Sequence, residues 1–293
     1  MYDFSALYEA TSVQHAVELL RDHPNATLIA GGSDVLIKMR EGKLAGAELV
    51  SIYKLDELRE VTMDPDGALR IGPMTSFAHA TNSPLLQQYM PVLGEAADTA
   101  GGPQLRSIGT LGGNICNGVT SADTASTQVA YDAMLEITSA SGMRKLSIHD
   151  FYKGPGKVDL QPGELLTAIL IPKESYEHCF GYYIKYAMRN AMDIATIGCS
   201  VNVVLSADKK TIQRMRIAYG VAGPVPSRAR TAEAALNGMP VGKAAIAAIG
   251  EAVLKDVNPR TSWRASAEFR KQIISETARR GLKAAIERAG GVF

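Results

Sequence analysis

The amino-acid sequence predicts an α+β protein in which a two-lobed N-terminal domain precedes a smaller C-terminal domain. In the N-terminal part, short apolar strands alternate with helical segments, and two of these stretches run into glycine turns. In the C-terminal part, three apolar strands follow one another before a run of helices. A sheet backed by a separate helical layer is typical of α+β domains. At 293 residues, the chain is long enough to form two hydrophobic cores.

The first lobe, about residues 1–55, is predicted to contain one helix and two strands. The helix is expected at Thr11–Leu20, where apolar residues recur at helical spacing and where Thr11 and Gln14 have the spacing of a capping box. The strands are expected at Ala26–Ala30 and at Glu48–Ile52.

The second lobe, about residues 56–175, is predicted to mix helices and strands. Pro84–Ala97 and Ser121–Ala133 have helical patterns. Gly101-Gly102-Pro103 ends the first of them, and Gly112–Asp123 is expected to be a long turn before the second. The predicted strands are Leu69–Gly72, Leu135–Ser139, Lys145–Ile148 and Leu165–Ile171.

The polar stretch Lys173–His178 is the best boundary between a first domain, residues 1–175, and a second, residues 176–293. Beyond it, closely spaced apolar runs predict a three-stranded antiparallel sheet with a helical layer. The strands are expected at Tyr182–Met188, Cys199–Leu205 and Ile212–Tyr219, and the helices at Thr231–Asn237, Lys243–Lys255 and Ala265–Ala289.

The composition argues against several classes of partner. The chain is 46% hydrophobic and 21% charged, with a formal net charge of +1, so neither nucleic acid nor an anionic membrane is favoured. No apolar run is long enough to span a membrane, and the N-terminus does not resemble a signal peptide. The three cysteines form neither a disulfide framework nor a metal-ligand spacing. We therefore expect a cytoplasmic protein without a metal site of its own.

The most specific motif is the second glycine segment, Gly109–Gly118, which Ser121-Ala122-Asp123 follows. Its counterpart is the first glycine segment, Ala30–Asp34, which comes directly after an apolar strand. Glycine lets backbone N–H groups approach a bulky anion, so two such segments could close on one dinucleotide cofactor. Neither a G-x-G-x-x-G nor a P-loop motif is present. Taken alone, the first segment is more often a plain turn.

Two further features have alternative interpretations. Lys185, Arg189 and Asp193 recur at four-residue intervals. Spacing alone favours salt bridges at a solvated strand end, whereas a functional interpretation places a cation beside a redox ring. Trp263, the sole tryptophan, is by default a buried anchor, although its arginine neighbours could also mark an interface.

These motifs resemble those of the FAD-binding medium subunits of the bacterial molybdenum hydroxylases, the group that includes xanthine dehydrogenase and carbon monoxide dehydrogenase. The resemblance extends over essentially the whole chain. Its markers are Ala30–Asp34, Arg106–Ile115, Ser121–Asp123, Lys185–Asp193 and Asn258–Ser266.

The resemblance implies a two-lobed FAD-binding domain of the vanillyl-alcohol-oxidase (PCMH) type over residues 1–175. It implies a C-terminal domain of the CO dehydrogenase flavoprotein type over residues 176–293. FAD would lie extended between them, with no catalytic side chain and no metal ligand on this chain. The residues that would contact FAD are Leu28, Ile29, Ala30, Gly31, Gly32, Ser33, Asp34, Val35, Gly102, Thr110, Gly113, Asn114, Asn117, Asp123, Leu165, Leu166 and Lys185, with Arg189 and Asp193 as charged neighbours.

The implied function is electron transfer in purine oxidation. FAD would take electrons from [2Fe–2S] clusters on a small partner subunit and pass a hydride to NAD+, while a molybdopterin-binding large subunit hydroxylates the substrate. Three alternatives remain open. The chain could serve a related N-heterocycle or CO dehydrogenase, or it could be a flavin-free assembly protein of the same fold. It could also be a free-standing flavin reductase of the cell-wall-precursor type, for which no proton donor is evident.

Overall fold

The structure is a computed structural model and describes residues 2–293. Its first lobe is a parallel three-stranded sheet in the order β1-β3-β2. Helix α1 buries Ala16, Val17 and Leu20. The elements are β1 (Phe4–Glu9), α1 (Val13–Asp22), β2 (Thr27–Ile29), α2 (Val35–Arg40) and β3 (Ala47–Ser51), followed by a 3-10 turn at Asp56–Leu58.

Helix α1 begins one residue later than a capping box at Thr11 and Gln14 predicts. The N-cap is Ser12, whose Oγ accepts a hydrogen bond from the backbone N–H of His15 at 3.0 Å. The Thr11 hydroxyl instead lies 3.0 Å from His15 Nδ1. The prediction of the helix was right and the prediction of its cap was wrong, because two adjacent hydroxyl residues offer the same type of cap.

The second lobe is an antiparallel five-stranded sheet in the order β4-β5-β10-β6-β7, together with several short helices. A separate hairpin, β8-β9, adjoins it. The elements are β4 (Val61–Met63), β5 (Leu69–Ile71), α3 (Phe77–Asn82), α4 (Pro84–Tyr89), α5 (Pro91–Asp98), α6 (Pro103–Ile108), α7 (Leu111–Cys116), α8 (Ala125–Ala130), β6 (Met134–Ser139), β7 (Gly142–Ser147), α9 (Ile148–Phe151), β8 (Tyr152–Gly154), β9 (Lys157–Val158), β10 (Leu165–Ile171) and α10 (Lys173–Tyr176).

Two helical predictions need correction in this lobe. The single helix expected at Pro84–Ala97 is two helices, because Pro91 cannot continue α4 and instead begins α5. The long turn expected from Gly112 contains helix α7, which starts after an N-cap at Thr110. In both cases the local start signal outweighs the wider pattern.

The C-terminal domain is an antiparallel sheet of four strands in the order β11-β12-β13-β14. The expectation of three strands was therefore one short, because β14 is a two-residue strand without a sequence pattern of its own. The elements are β11 (Phe180–Tyr186), β12 (Ile197–Leu205), β13 (Ile212–Gly220), β14 (Ser227–Arg228), α11 (Arg230–Leu236), α12 (Lys243–Ala252), a 3-10 turn at Val253–Lys255, and α13 (Ala267–Arg288).

The buried side chains form three hydrophobic clusters, one for each lobe and one for the C-terminal domain. Strand β10 serves two of them, because Leu165 belongs to the first-lobe cluster and Leu166 to that of the second lobe. This alternation joins the two lobes through a single strand. Among residues 2–293, no helix combines the length and the apolar character needed to cross a bilayer.

Candidate functional site

The two glycine segments come together in the structure. A Cβ atom placed on Gly31 would lie 1.9 Å from the backbone oxygen of Ile108, the residue directly before the second glycine segment. Such an approach is possible only for glycine, because any side chain would overlap a backbone carbonyl. The segments therefore touch at their backbones, as a shared binding site requires.

The first glycine segment presents a series of unused backbone donors. Within the described chain, the N–H groups of the five residues Gly31–Val35 donate to no protein acceptor. Gly32 lies in the left-handed region with φ +78°, which turns the chain sharply after β2. Successive free N–H groups in a turn form a concave anion-binding surface. A phosphate group is the type of ligand that fits them.

The second glycine segment forms a wall whose backbone is hydrogen-bonded both within the segment and to the residues that precede α3. Thr110 Oγ1 accepts a hydrogen bond from Gly113 N at 3.0 Å, and Gly112 N donates to Pro73 O at 2.8 Å. A Cβ on Gly112 would lie 2.4 Å from Pro73 Cβ, whereas one on Gly113 would meet only Thr110 Oγ1 within 4 Å. Gly112 is thus required for packing, and Gly113 leaves space for a ligand.

Side chains hold the two segments in register. Lys38, on the helix that follows the first segment, donates to Asn117 Oδ1 at 2.8 Å. Asn114 Oδ1 accepts hydrogen bonds from the backbone N–H of Thr124 at 3.2 Å and from its hydroxyl at 2.7 Å. Both contacts use the carboxamide oxygens of asparagine side chains. They fix α7 relative to α2 on one side and to Thr124, which precedes α8, on the other.

Asp123 and Lys185 form an ion pair that joins the second lobe to the C-terminal sheet. Lys185 Nζ lies 2.9 Å from Asp123 Oδ1 and donates to Thr99 O at 3.0 Å, and the two side chains are only 8% and 14% exposed. Burial raises the pKa of Asp123 to about 6, although the charge of Lys185 acts in the opposite direction. A buried pair at this junction can supply a fixed field to a bound ring system.

The remaining predicted residues have less direct positions. Gly102 is the N-cap of α6, and a Cβ there would lie 3.6 Å from the sulfur of Met192. The side chains of Leu165 and Leu166 do not line the site, since they are 1% and 3% exposed within two hydrophobic clusters. Leu28, Ile29 and Ala30 lie at the edge strand β2 or directly after it.

Arg189 and Asp193 behave as spacing alone predicts. Their side chains lie 3.5 Å apart, and Asp193 Oδ2 also accepts from the backbone N–H of Arg189 at 2.9 Å. They stabilise the exposed β11–β12 loop. Lys185, the third member of the pattern, is turned away from them towards Asp123.

Sequence reasoning missed three residues of this site. Lys38 ties α2 to the second segment, Ile108 receives Gly31, and Thr99 anchors Lys185 through its backbone carbonyl. Although Ile108 lies within the marker Arg106–Ile115, no local pattern reveals the roles of these residues, because each acts through a contact between residues far apart in the chain. Among residues 2–293, no three His, Cys, Asp or Glu side chains are grouped so that they could hold a metal ion.

The donor set fits an extended dinucleotide such as FAD. The free N–H groups of the first segment suit a diphosphate, and the open space at Gly113 lets a ligand approach the wall. Asp123 of the ion pair precedes Thr124, which hydrogen-bonds to Asn114 of the second segment, so the pair lies close to the same junction.

Comparison with known proteins agrees with this geometry. Residues 2–174 match the FAD binding domain in molybdopterin dehydrogenase, and residues 182–285 match the CO dehydrogenase flavoprotein C-terminal domain. The xanthine dehydrogenase FAD-binding subunit of Escherichia coli O157:H7 is 43% identical over 291 residues, which are 99% of each chain. A homologue from Escherichia coli K12 is 44% identical with the same coverage.

Solved structures extend the likeness to the whole fold. A chain of carbon monoxide dehydrogenase from Hydrogenophaga pseudoflava superimposes with a TM-score of 0.92 at 29% identity, covering 98% of this chain and 99% of that one. These findings confirm the resemblance, the fold class and the cofactor expected from the sequence. The chain therefore belongs to the family of FAD-binding subunits of molybdopterin dehydrogenases of the xanthine dehydrogenase type.

Proposed function

We propose that this chain is the electron-output subunit of a molybdenum hydroxylase that acts on purines. It takes electrons from [2Fe–2S] clusters on a small partner subunit and delivers them to NAD+, while a molybdopterin-binding large subunit oxidises the substrate. The observation that carries the proposal is the junction of the two glycine segments next to a buried ion pair. FAD can accept electrons one at a time and donate them as a pair, so it would link one-electron donors to a two-electron acceptor.

This chain's own residues would bind and orient FAD. The N–H groups of Gly31–Val35 would hold the diphosphate, and Thr110, Gly113, Asn114 and Asn117 would form the opposite wall. Gly102 would complete the enclosure, and Leu165 and Leu166 would support it from within the hydrophobic clusters.

Lys185 would act on the ring system through its charge. Its ammonium group is buried and fixed by Asp123 and Thr99, so little reorganisation is needed when negative charge develops nearby. A cation in this position favours the reduced ring and raises its potential. No general acid or base on this chain is needed for the transfer of electrons.

The proposed partners and acceptor follow from the relatives. The related chains are named as xanthine dehydrogenase and carbon monoxide dehydrogenase subunits, so each is one part of a larger enzyme. Of these, the xanthine dehydrogenase subunit has the higher identity, which favours a purine over CO as the substrate of the complex. The cytoplasmic location expected from the sequence stays a prediction.

The test is a reduction experiment on the complex purified with its partner subunits. Xanthine added without oxygen should bleach the flavin absorbance, and NAD+ added afterwards should restore it with formation of NADH. Lys185→Met should lower the flavin potential and slow the reduction of the flavin by xanthine, whereas its reoxidation by NAD+ should not slow, because a lower potential makes the reduced flavin the stronger reductant. Lys209→Met, at an exposed turn of the C-terminal sheet, is the matched control. Flavin that xanthine does not reduce, or that NAD+ does not reoxidise, would overturn the proposal.

A further inference from the structure

The sole tryptophan of the chain lies on the surface of the C-terminal domain. Trp263 is 77% exposed, in the segment Asn258–Ser266 that leads into α13. The guanidinium group of Arg264 lies over the indole ring, 4.2 Å from its centroid. An exposed tryptophan is costly in water, and tryptophan and arginine are both among the residue types enriched at the positions that dominate protein interfaces.

A buried cation without a counter-ion lies beneath this surface. Arg270 is 2% exposed, and its guanidinium donates to Thr196 O and to Ser262 Oγ, both of them neutral. The Nε atoms of Arg264 and Arg270 are buried and have no partner. Burial lowers the pKa of Arg270, and the charges of Arg260 and Arg264 lower it further.

In the described part of the chain, no carboxylate lies within ion-pair distance of these three arginines. Buried charges in proteins are normally paired, because the desolvation of a lone ion is not otherwise offset. The chain as a whole carries a net charge of only +1, so the cluster is a local excess of positive charge. The described part of the chain supplies no counter-ion for this cluster of arginines.

Apolar side chains surround the cluster. Phe269 is 40% exposed and makes an edge contact with Tyr186 at the end of β11, and Met188 in the adjoining loop is 60% exposed. Together, Arg260, Trp263, Arg264 and Phe269 form what we name the Trp263 surface. Its combination of aromatic residues and arginine is characteristic of an interface core.

We propose that the Trp263 surface docks an acidic face of a partner subunit of the same complex, whose carboxylates pair with Arg260 and Arg264 and whose apolar socket receives the indole. The proposal rests on the proposed function, because it assumes that this chain works within a complex. Charge complementarity identifies the occupant as acidic. A free anion would account for the arginines and would leave the exposed indole without a role.

The test measures assembly with the partner subunits co-expressed with a tagged full-length chain. Trp263→Ala and Arg260→Glu should each weaken the complex at least tenfold, and added salt should weaken the wild-type complex because exposed ion pairs are screened. The matched control is Lys243→Glu. Lys243 is an exposed lysine at the start of α12 and belongs to the opposite end of the domain, beside the β12–β13 turn.

The flavin spectrum of each variant separates this proposal from the proposed function. Wild-type chain that binds no FAD would contradict the function, whereas variants that keep FAD and lose assembly support the docking surface. Assembly unchanged in both variants would overturn the docking proposal. So would binding of ADP-ribose to the purified chain that Arg264→Glu abolishes, because the cluster would then be a nucleotide site.

Discussion

At the scale of single residues, the site depends on glycines whose roles differ. Gly31 allows the first segment to touch the backbone of Ile108, Gly112 allows α7 to pack on Pro73, and Gly113 leaves open space. The sequence shows that these positions are glycine and that a polar residue follows. Which glycine serves a contact and which serves a ligand depends on residues far away in the chain.

We expect Gly31→Ala to weaken FAD binding strongly. Its methyl group would overlap the Ile108 carbonyl, so the two segments must separate, at a cost of about 1–3 kcal/mol typical of overpacking. That corresponds to a rise of roughly fivefold to 150-fold in the dissociation constant, measured by titration of the purified chain with FAD. Gly223→Ala is the control, because its Cβ would have only an ordinary contact at 3.8 Å. An unchanged FAD affinity in Gly31→Ala would contradict the shared site.

The buried carboxyl of Asp123 gives a pH dependence of defined sign. Its pKa of about 6 in the folded chain lies above the value of about 3.9 expected when unfolded, so the folded state binds more protons between these pH values. The contribution of Asp123 to the free energy of unfolding therefore grows as the pH falls from 7 to 4.

The measurement compares wild type with Asp123→Asn by urea denaturation at several pH values. The stability of the wild type relative to the variant should increase by about 2–3 kcal/mol between pH 7 and pH 4. A difference that stays constant, or that shrinks as the pH falls, would show that burial does not dominate the pKa of this carboxyl.

At the scale of helices and strands, elements with an apolar or helical pattern of their own could be predicted, and elements without one could not. The strands β10, β12 and β13 and the helix α13 follow from apolar runs and helical periodicity, and so do the three-residue strands β2 and β5. The elements β1, β4, β14 and α2 were not predicted, because they have no such pattern and owe their stability to neighbours. The second glycine segment was assigned as a turn because its glycines obscured the cap at Thr110.

The corrected cap of α1 gives a prediction at this scale. Ser12→Ala should lower the free energy of unfolding by about 1 kcal/mol, because it removes the acceptor for the His15 N–H. Gln14→Ala is the control, since its side chain bonds only to Glu18 on the exposed face. Chemical denaturation of the three proteins decides between the caps. A larger loss in Gln14→Ala than in Ser12→Ala would favour the capping box that the sequence predicted.

At the scale of the whole molecule, polar contacts fix the C-terminal domain on the second lobe. Asn202, buried in β12, donates to Ala130 O at 3.0 Å, and Arg288 at the end of α13 donates to Glu95 at 2.8 Å. Asp132 accepts from Arg216 and Arg228 of the C-terminal sheet. The sequence could not reveal these pairs, because nothing local links one carboxylate to cations about 90 residues away. The ion pair of Asp123 with Lys185 belongs to the same interface, so this part of the candidate site forms only when the two domains pack.

Asp132 is the most connected carboxylate of this interface. Its Oδ1 lies 2.7 Å from His149 Nε2 and 2.6 Å from Arg228 Nη1, and its Oδ2 lies 2.9 Å from Arg216 Nη2. Burial by itself would raise the pKa of Asp132. The hydrogen bond with His149 and the charges of Arg216 and Arg228 outweigh burial and lower the pKa to about 2.

Asp132→Asn should therefore destabilise the chain with a pH dependence opposite to that of Asp123. Asparagine tolerates the left-handed backbone of this position, φ +51°, so the substitution removes charge without adding strain. The folded pKa lies below the unfolded value, so the stabilisation is present at pH 7 and is lost as the pH falls from about 4 towards 2. We expect a loss of about 3 kcal/mol at pH 7, measured by urea denaturation, and a smaller loss at pH 3. Asp56→Asn, whose side chain is 94% exposed, should cost less than about 1 kcal/mol at either pH. An Asp132→Asn variant as stable as wild type at pH 7 would show that this network does not hold the two domains together.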